Sequence, residues 1–490
     1  MFITPGEWLP SLPNKMPSAS VPTRPHAYAH LYSRLADSRP DSSTRESAES
    51  FVHYELDRAH SLSSGLPESP DDLIAWMHDG TQSVHASYSL YLEERKGGAP
   101  RRYFSNRSHA LYFLRTVAPT KLVDGAWLYG LTRHWKNPRL ADLIRTYVEE
   151  LGEGLADKNH VLIYRDLLSR HGLDPLDDLA DDFYRQGLIQ LALGWNAEKF
   201  LPEIVGFNLA YEQLPLHLLI TAYELNELGL DPYYFTLHAT VDNAETGHAR
   251  RACQSVIDLL PRLSDGGEFW RRVREGSKLA DAGISTTQVI DGFDLDREVL
   301  RIFSNKSGSG KGAHSDYCKV SGRSVNEWLS SSEHLPAFLD QLQKTGWIHR
   351  GEPVGSSRFW NLLKGEKAEM FGVFSSYELQ VIHDWIRGDA SADGLPHDAS
   401  DAGAGKRRPT FRAAARLANA RPETAPTPDD QPELLDSDLA ILKRQLQSVE
   451  DDARTQLLAE VMSPAQHWTP AGLHATALYC KEVGAGIAYQ

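Results

Sequence analysis

Apolar residues recur along most of this chain with the spacing of helices rather than strands. ESFVHYELDRAHSL and PDDLIAWMHDGTQSVHASYSLYLEER carry apolar positions three and four apart. Pro70 and two aspartates mark the start of the second stretch. From residue 107 to about 265 the pattern strengthens. NRSHALYFLRTVAPTKLVDGAWLYGLTRHW is mostly apolar, and Pro119 is expected to break it. NPRLADLIRTYVEELG should end at Gly152, and NHVLIYRDLLSRHGL should start on Asn159 as its cap and stop at Gly172. FNLAYEQLPLHLLITAYELNELGL is apolar around most of its circumference, which predicts one buried helix. DPYYFTLHATVDNAETGHARRACQSVIDLLPRL follows as another. Strand alternation is scarce, so the expected fold class is all-α, a helical bundle with mainly helical extensions.

The flanks read differently. Residues 1–45 are rich in Pro, Ser and Arg without a sustained period, as in a loosely ordered arm. Residues 46–265 form the expected bundle and 266–388 a mainly helical extension. Residues 389–432 are rich in Ala, Asp, Gly and Pro, as in a linker, and 433–490 return to helix.

At 490 residues the chain exceeds one ordinary domain, and 41% hydrophobic residues suffice for a core. Sixty-six acidic residues against 51 basic give a net charge of −15, which argues against nucleic acid as a partner. No apolar run is long enough for a membrane span. The three cysteines, Cys253, Cys318 and Cys480, lie far apart, which fits neither a metal motif nor a disulfide framework and suits a reducing cytoplasm.

Two segments place histidines and carboxylates among apolar residues. In HATVDNAETGH, His238 and Asp242 are four apart and share a helix face, and Glu245 continues it. His248 falls about 80° round from His238 in a continuous helix. The plainer reading is a solvated polar face. A bound iron, manganese or zinc ion would instead compensate the burial of such groups. In EELGEGLADKNH, Glu150 and His160 would stand about 15 Å apart in an unbroken helix. Gly152 and Gly154 interrupt it, so the two side chains can converge, while Glu153 and Asp157 read as solvation and capping. Asp124, in PTKLVDGAWL, reads equally as a ligand, as an acceptor for a ligand histidine, or as a cap. Together Asp124, Glu150, His160, His238, Asp242 and His248 form an inventory that suits a two-metal carboxylate site.

These residues resemble the heme-oxygenase-like di-iron oxidases and oxygenases, the iron-containing redox enzymes. The resemblance covers roughly residues 100–265 and rests on Glu150-x9-His160 followed by His238-x3-Asp242. Asp124 stands where that family usually has a first-helix Glu. His248 restores a third imidazole and is the expected sixth ligand, with Glu245 its rival. The resemblance implies two Fe(II) per chain, O2 as co-substrate, and N-oxygenation, desaturation or oxidative C–C cleavage of a small amino-acid-, amine- or fatty-acid-like molecule in specialised metabolism. Carriage of the substrate on a carrier protein and a homodimer both stay open. The alternative is a metal-free bundle serving as a binding protein or a thiaminase-like enzyme, for which Cys253 is the nearest thiol.

Other features carry less. Asn208, Tyr211 and Glu212 read as supports of the metal site or as walls of a substrate cavity, with an internal Asn208–Glu212 hydrogen bond as the plain alternative. His217 is weaker. SGSGKGAH lacks the glycine spacing of a phosphate-binding loop and reads as a flexible turn. Lys406, Arg407 and Arg408 read as a solvated tether.

Overall fold

The computed structural model describes residues 27–37, 39–173, 176, 178–241, 247–263, 266–364, 368–388 and 436–487. Among these the regular structure is almost all helix, and the one β element is a hairpin pairing Lys319–Val320 with Arg323–Ser324. The fold is the all-α class that the apolar periodicity predicts. Among the described residues, no helix is long and apolar enough to cross a membrane.

The first three helices are α1 (Ala27–Ala36), α2 (Ser42–Ala59) and α3 (Leu73–Lys96). The first lies within the expected arm. Its sequence buries Tyr32 and Leu35, and the Asp181 carboxylate accepts from the first backbone N–H groups, at Tyr28 and Ala29. Residues 1–26 lie outside the described structure.

Pro119 divides the next apolar run into α4 (Arg107–Thr116) and α5 (Ala118–Lys121), with a 3-10 helix, Ala126–His134, beyond. α6 (Ala141–Glu150) and α7 (His160–Arg170) are joined by a turn in which Gly152, Glu153 and Gly154 all have positive φ. Asn159 caps α7 by accepting from Leu162 N–H, as its place in the sequence predicts.

Two expected helices are each divided. The apolar stretch after residue 200 forms α9 (Leu201–Tyr211) and α10 (Leu216–Glu227), after α8 (Arg185–Trp195). Pro215 lacks an N–H and disfavours helical backbone at Leu214, so α9 stops with Glu212 as its C-cap. Likewise α11 (Tyr233–Val241) ends before residue 242, and α12 (His248–Leu259) starts anew from extended Gly247. The angular relation between His238 and His248 expected of one continuous helix therefore does not hold. Asp242 and Glu245 lie outside the described residues.

The bundle continues past residue 265. α13 (Gly267–Lys278) packs along α9, and later come α14 (Thr286–Asp291) and α15 (Leu295–Gly310). The SGSG of the expected flexible turn is the last turn of α15. α16 (Val325–Trp328), α17 (Leu335–Lys344), α18 (Arg358–Lys364) and α19 (Ser376–Arg387) complete this part. The expected linker, with Lys406 to Arg408, lies outside the described residues. Three helices follow it: α20 (Ser437–Leu446), α21 (Asp451–Val461) and α22 (Pro470–Ile487).

Two apolar clusters form the interior. One gathers Val123, Trp127, Leu151, Ala249 and Ala252 with Leu458 and Tyr479. The other gathers Leu122, Val161, Tyr234 and Phe235 with Ile290 and Trp385. Asp124, Glu150, His160, His238 and His248 are chain neighbours of these residues, so the polar groups lie along the seam between the two clusters.

Candidate metal centre

Six segments deliver the polar side chains. Asp124 sits in the turn after α5, Glu150 ends α6, His160 opens α7, His238 lies on α11 and His248 opens α12. Glu212 caps α9. All six are buried, with Glu150 at 4%, His160 at 2% and His248 at 0% exposure. Gly125 makes one close approach possible: its φ is +76°, and a Cβ there would lie 3.0 Å from the Glu150 Cβ.

The donor atoms fall into two groups. Asp124, Glu150, His160 and His238 each offer one within 4.8 Å of the others, and Glu150, Glu212 and His248 do the same. Glu150 belongs to both. The His160 Nδ1 lies 2.5 Å from Glu150 Oε2, and among the described residues neither atom has a partner of hydrogen-bond geometry. His248 Nδ1 lies 3.1 Å from Glu150 Oε1 and 3.1 Å from Glu212 Oε2. His238 Nε2 lies 3.0 Å from Asp124 Oδ2, which also accepts from Tyr234 Oη at 2.6 Å.

The tautomers make these contacts informative. His238 Nδ1 lies 2.8 Å from the Tyr234 carbonyl, which only accepts, so Nδ1 carries the proton. The Nε2 lone pair of a neutral ring then faces a carboxylate. His248 has carboxylates at both nitrogens, with Glu149 Oε2 3.1 Å from Nε2. A proton or a cation must stand between each lone pair and its carboxylate. Divalent metal fits this donor set, because it replaces the protons and offsets the buried negative charge.

Electrostatics follow the same logic. Burial alone would raise the Asp124 carboxyl, but the facing imidazoles of His160 and His238 and the charge of Lys121 hold it well below the usual carboxylate range. Burial would also raise Glu150, and His160 and His248 outweigh it downward. Burial would lower His160, yet Glu150 and Asp124 lift it to about 10. Outside the donor groups, Glu149 is drawn down to about 2 against its burial by His248, Arg145 and Arg251. It gives His248 an outward carboxylate partner, the arrangement that fixes the orientation of ligand imidazoles.

Sequence reasoning treats Glu212 only as a supporting or cavity residue, whereas its carboxylate stands within donor distance of His248 and Glu150. It misses Glu149 and His467. Pro215 is the available signal for Glu212, because a helix stop before it puts that carboxylate at the end of α9. Asn208 and Glu212 do not pair through their side chains. The Asn208 oxygen accepts from Trp127 Nε1 at 2.9 Å, and its Nδ2 is a buried donor without a partner among the described residues. Tyr211 Oη receives Gln186 and Gln190 at 3.2 and 3.3 Å, and burial pushes its hydroxyl up to about 12. His217, on α10, belongs to neither donor group. Cys253 is fully buried, and burial pushes its thiol up to about 12.

Residues 111–281, about a third of the chain, match the model of a family described as iron-containing redox enzymes. No curated protein and no solved structure matches the chain. The matched segment contains every residue of both donor groups, so this third of the chain is similar to the iron-containing redox enzymes.

Proposed function

We propose that this protein is an O2-dependent non-heme di-iron oxidase or oxygenase. The observation that carries the reading is Glu150, a buried carboxylate common to two donor groups. Asp124, His160 and His238 would hold one iron, and Glu212 and His248 the other, with Glu150 serving both. Asp242 is proposed as a further ligand, four residues along the chain from His238, with Glu245 the rival of His248. Asp124, Glu150, Glu212 and Asp242 would together match the charge of two divalent ions. Bound ferrous iron would supply electrons for the reduction of O2.

The chain's own residues have distinct tasks in this reading. The Tyr234 carbonyl, accepting from the Nδ1–H, holds His238 in one orientation, and Glu149 does the same for His248. The apolar clusters on either side exclude bulk water. Asn208, Gln186 and Gln190 keep buried amide atoms without a partner among the described residues, and with Tyr211 they would orient a substrate with hydrogen-bonding groups. The substrate is proposed to be a small amino-acid-, amine- or fatty-acid-like molecule, free or carrier-bound, undergoing N-oxygenation, desaturation or oxidative C–C cleavage in a cytoplasmic specialised pathway. Anaerobic titration with Fe(II), followed by an O2 pulse and a substrate screen, tests it. The expected result is about two irons per chain, oxidised by O2. Failure of the wild-type chain to bind iron overturns the reading.

A further inference from the structure

The two ligand-bearing helices α6 and α7 are gripped by a part of the chain more than 300 residues away in sequence. Tyr147, on α6, donates to the Met462 carbonyl at 2.6 Å. Tyr479, on α22, donates to the Thr132 carbonyl at 2.7 Å. Gly154, inside the turn between Glu150 and His160, lies so close to α22 that a Cβ there would sit 2.5 Å from the Leu473 carbonyl oxygen. Arg165, on α7, stacks over Trp468 at 3.9 Å.

The innermost of these contacts is polar. Asn159, adjacent to His160, is fully buried. Its oxygen accepts from Leu162 N–H, so its Nδ2 must be the donor. Nδ2 reaches the Leu151 carbonyl at 3.2 Å, next to Glu150, and His467 Nδ1 at 3.2 Å. His467 lies in the turn between α21 and α22 and is 2% exposed. Asn159 thus ties the residue after one candidate ligand, the residue before another and the C-terminal segment into one knot. Nδ2 also faces the His467 carbonyl at 3.4 Å, so removing the Nδ1 acceptor would leave only that longer contact on this side and loosen the turn that sets the Glu150–His160 spacing.

We propose that His467 is a positioning residue for the metal centre, and that helices α20 to α22 complete its scaffold from outside the family-matched segment. The metal part of this inference rests on the di-iron reading above. The test uses the full chain with Co(II) as the probe, read by its visible ligand-field spectrum, and hydrogen–deuterium exchange of residues 151–160 in the metal-free protein. His467→Leu is expected to weaken Co(II) binding about tenfold or more, change the spectrum and speed the exchange. His467→Asn, whose oxygen can stand where Nδ1 stands, is expected to restore all three. Wild-type binding, spectrum and exchange in His467→Leu overturn the inference, as does a loss that His467→Asn fails to reverse. If wild type itself binds no metal, the di-iron reading fails, and the exchange experiment alone decides the positioning claim. If His467→Leu does not fold, Tyr147→Phe decides instead: faster exchange and weaker Co(II) binding support the grip, and unchanged values overturn it.

Discussion

Glu150 Oε2 lies 2.5 Å from His160 Nδ1 with no hydrogen-bond geometry between them, although the two residues are ten apart in sequence and both are buried. A helix would hold them about 15 Å apart. The three positive-φ residues Gly152, Glu153 and Gly154 fold the chain back and bring them together.

Glu150 belongs to both donor groups, so its loss is expected to affect both metals. Glu150→Ala should drop the stoichiometry from about two irons to below one per chain. Glu212→Ala should spare the ion held by Asp124, His160 and His238. Iron analysis after anaerobic loading and desalting checks both.

Gly125 sits at φ +76° with its α-carbon facing Glu150. Gly125→Ala forces a side chain into left-handed backbone and against the Glu150 Cβ at 3.0 Å. A loss of about 1–3 kcal/mol in stability is expected. Iron affinity should fall as well, because Asp124 and Glu150 can no longer approach. Chemical denaturation and Fe(II) titration measure the two effects.

The metal-free protein should show a particular pH profile. His160 is raised to about 10, so its contribution is complete below 6.5 and is lost as pH climbs through about 10. Asp124 and Glu150 are depressed, so theirs is complete above the ordinary carboxylate range and is lost as pH falls below it. Stability without metal should therefore decline towards alkaline pH by up to a few kcal/mol, since each tenfold change in proton affinity is worth about 1.4 kcal/mol. Metal replaces the His160 proton, so the loaded protein should lack this decline. Thermal melts between pH 6 and 10, with and without metal, measure it.

How much of this is legible in the sequence follows the length scale of each cause. Helix periodicity gives the all-α class, and Gly152 and Asn159 give the break that joins Glu150 to His160. Both are local signals. The stretch across Pro215 is apolar enough to hide a stop, so the sequence pattern does not single out Glu212 as a helix-end carboxylate among the donors. Counting residues along one helix misplaces His248, because α11 and α12 do not form that helix. Asp124 has three equal readings because its partners, His238 and Tyr234, lie more than 100 residues away. Glu149 and His467 carry no motif, and only tertiary packing sets them beside His248 and Asn159.

Glu149 holds the outward nitrogen of His248 at 3.1 Å and is itself paired with Arg251 and Arg145. Glu149→Gln should weaken the ion at Glu212 and His248 by about 10–100-fold while leaving the other nearly unchanged. Stepwise Co(II) titration resolves the two.

The most direct measurement is anomalous X-ray scattering at the iron edge from crystals of anaerobically Fe(II)-loaded protein. Two peaks are predicted, one contacting Asp124, His160 and His238, the other Glu212 and His248, with Glu150 touching both. A single peak, or none at these residues, would contradict a di-iron centre.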